Sequence, residues 1–146
     1  MKKALCICLT ALVFSLSFLS CTNDVNTPKS YKIYWDITNY SYEPSEEITF
    51  LLSTFDDAIA KGSCDSITNH TFVVHDIKYA RYKEIREETV ALADEANAWL
   101  QDNWHPTKRY KVRVYCYCPD DYDYYNTGSS SSTEVWATYT FKKSND

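Results

Sequence analysis

Three segments of this chain alternate between apolar and polar residues, a pattern that restricts its fold more than any other feature. They are Tyr31–Tyr40, Arg109–Cys118 and Thr133–Lys142. Neighbouring side chains of a β-strand point to opposite faces, so each segment is predicted to be a strand that is apolar on one side only. Strands buried on both sides are continuous apolar runs instead. The pattern therefore predicts a sheet with one covered face and one exposed face.

Two other stretches have the helical period. Ser45 is a suitable N-cap, and the apolar residues after it share one stripe up to a stop near Gly62, which predicts a helix over 46–61. A second helix is predicted over 78–103, since the residue before Pro106 avoids helical geometry. The residues expected on the inner side of this second helix are Ile85, Thr89, Leu92, Ala96 and Trp99, with Ala93 and Leu100 beside them.

The order of these elements predicts an α+β fold. A short β-branched stretch, Thr71–Val74, lies between the helices and would be an edge strand if it joins the sheet. We therefore expect a two-layer sandwich in which two helices cover one face of a three- or four-stranded, mainly antiparallel sheet. The 146 residues leave room for one such domain, assigned to 31–146. In the last strand, the alternation places Trp136 on the exposed face. The residues predicted on the covered face are Val135, Ala137, Tyr139 and Phe141.

The first twenty residues have the composition of an export signal. A basic start at 1–3 is followed by Ala4–Leu19, an uncharged run that is too short and wrongly flanked for a membrane-spanning helix. The run ends in Phe18-Leu19-Ser20-Cys21, which resembles the lipobox of bacterial lipoproteins. A plain secretory signal cut after Ser20 is the alternative.

The resemblance implies that residues 1–20 are removed and that the Cys21 thiol is acylated, for example with palmitate, so the lipid bilayer becomes a partner. Aspartate does not follow Cys21 directly, so the retention pattern of the inner membrane is missing. The resemblance thus favours the outer membrane and leaves the leaflet open. The polar residues of 21–30 are expected to form a flexible tether.

Charge and glycine content exclude two classes of partner. The formal net charge is −5, and removing Lys2 and Lys3 with the signal leaves 13 basic against 20 acidic residues, or −7. Phosphate backbones repel such a chain, so nucleic acid is not expected as a partner. Two glycines are too few for the loops that cradle nucleotide phosphates, and no cofactor is predicted.

Three cysteines, Cys64, Cys116 and Cys118, remain beside the anchor. An odd number allows at most one internal disulfide. Cys116 and Cys118 share one face of a strand, where cysteine packs as a small apolar residue. The alternatives are a disulfide from Cys64 to one of them, or a metal site with a histidine: His70, His75 or His105. One residue between two cysteines is poor spacing for zinc, so no metal is predicted.

Catalytic motifs are weak in this sequence. His75 and Asp76 form a pair that could orient an imidazole for base catalysis, but no nucleophile motif accompanies them. The acidic, tyrosine-rich loop over 119–132 lacks the EF-hand spacing. A small hydrolase or metal-dependent enzyme built on these histidines and cysteines therefore remains the alternative to a non-catalytic protein.

The strongest functional prediction concerns the exposed face of the sheet. Tyr34, Tyr115, Tyr117 and Trp136 are expected there, interleaved with lysines. Exposed aromatic groups mark recognition surfaces, and flat rings suit the apolar faces of sugars, which predicts a binding or accessory module for a glycan or an envelope protein. The alternatives are cross-strand pairs that only stabilise the sheet, or a structural assembly subunit. Strand order decides whether these rings form one patch.

Overall fold

A computed structural model describes residues 27–38, 45–118 and 133–143. The predicted signal segment, Cys21 and the loop over 119–132 lie outside the described residues. The elements, in chain order, are β1 (Lys29–Ile37), α1 (Glu46–Ile59), β2 (Thr71–Ile77), α2 (Tyr79–Asn103), β3 (Tyr110–Tyr117) and β4 (Thr133–Phe141). β1 begins inside the segment that was expected to be a tether, because Lys29 already pairs with Ile77.

The strands form one sheet in the order β2-β1-β3-β4, and each neighbouring pair is antiparallel. The two helices pack against this sheet, so the predicted α+β fold is confirmed. The stretch that begins at Thr71 is the edge strand β2, which makes the described sheet four-stranded. β1 and β3 are therefore the two central strands.

The ends of both helices follow from local sequence. The Ser45 side chain accepts a hydrogen bond from the Ile48 N–H at 3.2 Å, which confirms the predicted cap. Glu46 and Glu47 follow in the first turn, where the helix dipole favours negative charge. The second helix ends at Asn103, three residues before Pro106. In the described part of the chain, neither helix has an apolar stretch long enough to cross a membrane.

The core lies between the helices and the inner face of the sheet. The alternation predicted in β1 and β3 is confirmed. From Tyr31 onward in β1 and throughout β3, the inward side chains are buried and the outward ones are at least partly exposed. The largest fully buried side chains come from both layers: Trp35, Tyr110, Phe55, Phe141, Ile33, Leu51, Ile59, Leu100, Val112 and Val114.

The inner face predicted for the second helix is wrong at one residue, Trp99. Trp99 is 49% exposed and packs against Phe50, which is 41% exposed, at a ring-centroid distance of 6.3 Å. At about 100° per residue, Trp99 lies roughly 80° from the centre of the buried stripe of α2. The buried residues of that stripe are Tyr82, Ile85, Thr89, Ala93, Ala96 and Leu100. A large side chain at the margin of a stripe is left half in solvent.

The predicted faces of β4 are wrong at its start. Val114 pairs with Ala137, but the next residue, Tyr115, pairs with Val135, so Trp136 is an extra residue in a β-bulge. A bulge shifts the alternation by one position. Trp136 is consequently buried at 8% exposure, and Val135 is exposed at 46%. Beyond the bulge, Tyr139 and Phe141 are buried as predicted.

Glu47 connects the start of α1 to the segment that leads into β3. Its carboxylate accepts hydrogen bonds from the Tyr110 hydroxyl at 2.5 Å and from the Thr107 N–H at 2.8 Å. Burial opposes ionisation of Glu47, but these bonds and the charge of Lys108 outweigh it and lower the pKa of the carboxyl. The contact therefore stabilises the fold in its ionised form.

We expect Glu47→Gln to reduce the acid sensitivity of the protein. A pKa lowered in the folded state contributes stability above the unfolded-state value of about 4.3, and that contribution is lost as the pH falls through the folded value. Between pH 7 and pH 3, urea unfolding should show the wild type losing about 1 kcal/mol more stability than the variant, a figure kept small because Glu47 is partly exposed. An equal effect of Glu46→Gln would assign the contribution to the helix dipole instead.

Candidate functional site

The outer face of the sheet carries a stacked tyrosine pair at its centre. Tyr34 of β1 lies directly opposite Tyr115 of β3 in the register. Their ring centroids are 4.9 Å apart and their planes differ by 17°. Both rings are half-buried, because each covers one face of the other. The adjacency of β1 and β3 is what brings these two residues of distant sequence position together.

The patch continues along both central strands. Tyr117 lies opposite Lys32, one outward position from the stacked pair, and the Lys32 ammonium is 5.8 Å from the centroid of the Tyr34 ring. That distance is within the range of cation–π attraction. We call this group the tyrosine patch: Tyr34, Tyr115, Tyr117 and Lys32. Three of the four predicted binding residues, all of them tyrosines, therefore lie in one continuous group.

The rim of the tyrosine patch has an exposed valine on each side, with a threonine beside it on β4. Val73 of the edge strand β2 pairs with Lys32 and is 43% exposed. Across the sheet, Val135 pairs with Tyr115, and Thr133 pairs with Tyr117. Burial raises the pKa of Tyr34 above its ordinary value, and a hydrogen bond with the Thr133 side chain partly offsets that rise.

Trp136, the fourth predicted binding residue, is on the other side of the sheet. Its indole N–H donates to the Tyr82 hydroxyl at 3.2 Å and approaches the Glu134 carboxylate at 3.3 Å. The Tyr82 hydroxyl donates to the same carboxylate at 2.5 Å, and Arg86 pairs with it at 3.1 Å. Burial and the bond to Glu134 raise the pKa of Tyr82. Trp136 thus anchors β4 to α2 and is not available to a ligand on the outer face.

No family model, curated protein or solved structure matches this chain.

Cys64, Cys116 and Cys118 are reduced and form no disulfide with one another. Cys116 and Cys118 are buried on the helix side of β3, as the strand pattern predicts. Cys64 lies beyond the end of α1, where its thiol donates to the Ile59 carbonyl at 3.5 Å, and it forms no disulfide with Cys116 or Cys118 in this structure. Burial raises the pKa of Cys116 to about 12 and also raises that of Cys64. The protonated thiols are poor nucleophiles.

A small cavity adjoins Cys64 between the end of α1 and the middle of α2. Gly62, Thr89 and Leu92 contribute to its lining. Its volume of about 10 Å³ corresponds to roughly one water molecule. An organic substrate does not fit there.

The enzymatic alternative required His75, Asp76 and the cysteine pair in one cleft. His75 and Asp76 are exposed on the edge strand β2, whereas Cys116 is buried on β3 and β1 lies between those strands. These residues do not come together. Within the described residues, no group of three or more His, Cys, Asp or Glu is placed to hold a metal ion. The acidic loop over 119–132 lies outside the described residues.

Sequence reasoning missed a contact between Asp56 and His70. The His70 Nδ1 lies 2.9 Å from both Asp56 carboxylate oxygens, and the Trp35 indole N–H donates to the same carboxylate at 3.0 Å. His70 and Asn69 both adopt left-handed backbone angles, with φ of 58° and 50°, in the turn that starts β2. Asn and His tolerate that region better than other side chains. Asp56 of α1 thus holds the strained turn before β2 in place.

The Asp56–His70 pair resembles the orienting half of a catalytic triad in geometry only. Among the described residues, no hydroxyl or thiol is hydrogen-bonded to the His70 ring, so a nucleophile is missing from the pair. Asp56 and His70 side chains are 27% and 36% exposed. The contact joins α1, β1 and the turn before β2, which is a structural task.

Proposed function

We propose that this protein is a membrane-anchored lipoprotein of the bacterial cell envelope whose α+β domain binds a glycan through the tyrosine patch. Anchoring on Cys21 and location at the outer membrane rest on the lipobox-like end of the signal segment. The observation that carries the binding proposal is the stacked Tyr34–Tyr115 pair on the two central strands. The proposed role is that of a non-catalytic binding or accessory module.

The position of β1 suits such an anchor. β1 begins at Lys29, and residues 22–28 can span at most roughly 25 Å between Cys21 and the domain. Lys29 is close in sequence to Lys32, so the tyrosine patch begins at the end of the sheet to which the tether connects. A glycan held by the patch would therefore lie near the membrane surface.

We expect Cys21→Ala to abolish lipid attachment. Acylation requires a thiol at the residue that follows the cleavage site, and alanine offers none. Metabolic labelling with an alkyne-bearing fatty acid should tag the wild type and leave the variant untagged, and Cys64→Ala should be tagged as fully as the wild type. A tagged Cys21→Ala protein would contradict the anchor.

The composition of the patch favours a glycan over a protein partner. The tyrosines present ring faces and hydroxyls, and the outward residues of β4 near them add further hydroxyls: Thr133, Thr138 and Thr140. Sugar rings offer apolar C–H faces to stack on aromatic rings, and hydroxyls to bond with such side chains. Tyrosine is also common at the centre of protein interfaces, but threonine is under-represented among the residues that dominate their binding energy, so the threonines around these rings favour a glycan.

We expect the double variant Tyr34→Thr, Tyr115→Thr to lose glycan binding while it stays folded. Threonine is a good strand residue, and the stacked pair contributes about 0.5–1.5 kcal/mol, so the fold should survive. The measurement is retention of the purified full-length protein on an array of envelope polysaccharides, with circular dichroism of each variant. At least tenfold weaker retention is expected, about 1.4 kcal/mol in binding free energy.

Tyr79→Thr is the matched control, because Tyr79 is a 49% exposed tyrosine at the start of α2, away from the patch. It should bind like the wild type. Crosslinking on intact cells tests the competing function: a stoichiometric protein neighbour that is lost in the double variant, with no glycan retained by the wild type, would make the patch a protein interface. Equal glycan retention by all variants would place the site elsewhere.

A further inference from the structure

We propose that the glycan held by the tyrosine patch is an acidic polysaccharide. This inference rests on the proposed function and names the class of its ligand. The charged and aromatic outward side chains of the two central strands are three cations, one anion and three tyrosines: Lys32, Tyr34 and Asp36 on β1, and Lys111, Arg113, Tyr115 and Tyr117 on β3. The whole chain has the opposite sign, with a net charge of −5.

The cations lie at both ends of the tyrosines. Lys32 is opposite Tyr117 at one end of the patch, and Arg113 and Lys111 continue β3 beyond Tyr115 at the other. Six residues of strand separate the level of Lys32 from that of Lys111, roughly 20 Å. A strip of that length accommodates several sugar units of a chain, with the rings at the tyrosines and the charged groups at the ends.

The positive charges of Lys32 and Lys111 can interact with an anionic ligand. The described carboxylates form no ion pair with Lys32 or Lys111. Arg113 lies opposite Asp36 in the register, so its charge is balanced locally. The outward residues of β4 beside these strands are uncharged: Thr133, Val135, Thr138 and Thr140. An anionic ligand would therefore meet net attraction on this face and repulsion over the rest of the acidic surface.

A polysaccharide suits this arrangement better than a lipid headgroup does. A membrane surface would bind to clustered lysines or arginines through headgroup charge. Here the cations lie at the two ends of a strip, and the space between them is filled by tyrosines, which would stack on rings. Ring stacking and charge pairing are combined in carboxylated sugars.

The test compares two forms of one polymer. Polygalacturonate and its fully methyl-esterified form share the sugar ring and differ in charge. The full-length protein, purified from membranes in a non-ionic detergent, is run in affinity gels that contain either polymer, at low and at high salt. We expect polygalacturonate to retain the wild type with an affinity about tenfold or more above that of the ester, and high salt to weaken it.

The variants separate charge on the face from charge in general. Lys32→Gln, Lys111→Gln should bind polygalacturonate about tenfold more weakly. Lys61→Gln, Lys83→Gln removes two exposed cations from the ends and surface of the helical layer, with the same change of net charge, and should leave binding unchanged. Equal weakening by both pairs would overturn the inference, since binding would then follow net charge alone.

The remaining outcomes distinguish the two proposals. If both polymers retain the wild type equally, and the double variant Tyr34→Thr, Tyr115→Thr loses that retention, the acidic ligand is overturned and glycan binding is kept. Retention by neither polymer, nor by any array polysaccharide, would overturn both. A third outcome is that neither polymer retains the protein, and that phosphatidylglycerol vesicles bind the wild type but not the double variant Lys32→Gln, Lys111→Gln. Anionic lipid would then be the ligand, and both proposals would be overturned.

Discussion

Replacing Trp136 with alanine is expected to lower the free energy of unfolding by about 3 to 5 kcal/mol. The indole is 8% exposed, packs edge-on against Tyr82 at a centroid distance of 5.7 Å, and donates to the Tyr82 hydroxyl. Its loss leaves a cavity beneath β4 and removes one member of the network with Glu134. Urea unfolding followed by circular dichroism measures the change.

Val135→Ala is the matched control for this prediction. Val135 is 46% exposed, and its replacement should cost less than about 1 kcal/mol, the range of strand propensity. The difference between neighbouring residues tests the bulge directly. If Val135→Ala were the more costly change, the strand would alternate without a bulge and Trp136 would face outward.

This prediction has a consequence for the study of function. If a Trp136→Ala protein failed to bind a glycan, the cause would be its lower stability and not a lost ligand contact, because the Trp136 side chain anchors β4 to α2. The tyrosines of the outer face can be changed with much less effect on the core. Binding studies should therefore use Tyr34 and Tyr115 and leave Trp136 unchanged.

Replacing Asp56 with alanine is the second large effect, with an expected loss of about 2 to 3 kcal/mol in the free energy of unfolding. The carboxylate accepts from the indole N–H of Trp35, a side chain that is 1% exposed, so the variant leaves a buried donor without a partner. It also releases His70, whose strained backbone the contact holds. Thermal and urea unfolding both give this difference.

Asp57→Ala provides the comparison, because Asp57 is the exposed neighbour of Asp56 on the same helix. Its replacement should change stability by no more than about 0.5 kcal/mol. Hydrogen exchange adds a local measurement: in Asp56→Ala, the amides of the turn before β2 should exchange faster than in the wild type. Equal costs for the two aspartates would show that the contacts with Trp35 and His70 do not stabilise the fold.

The candidate site was predictable in part. The outward positions of Tyr34, Tyr115 and Tyr117 follow from period two within each strand, and the structure places all three there. Their union into one patch depends on the pairing of β1 with β3, two strands separated in the chain by both helices and β2. Local pattern carries no information about that partner choice.

The residues that were misplaced have specific causes. Trp136 moved to the core because a bulge adds one residue to β4, and no local composition marks it. Trp99 lies at the margin of its helical stripe, where packing of the neighbouring layer decides exposure. The Asp56–His70 contact joins a helix to a turn across the fold, so neither residue alone signals it.

The sequence by itself determined the α+β class, the bounds of the helices and strands to within three residues, and which side of β1 and β3 is apolar. These properties depend on the period of apolar residues, on the Ser45 cap and on the stop near Pro106, all of which act between residues close in the chain. Tertiary structure alone decided the strand order, the bulge at Trp136 and the contacts of Asp56. They arise when distant segments pack, because the pairing partner, the space beneath a strand and the reach of a carboxylate exist only in the assembled fold.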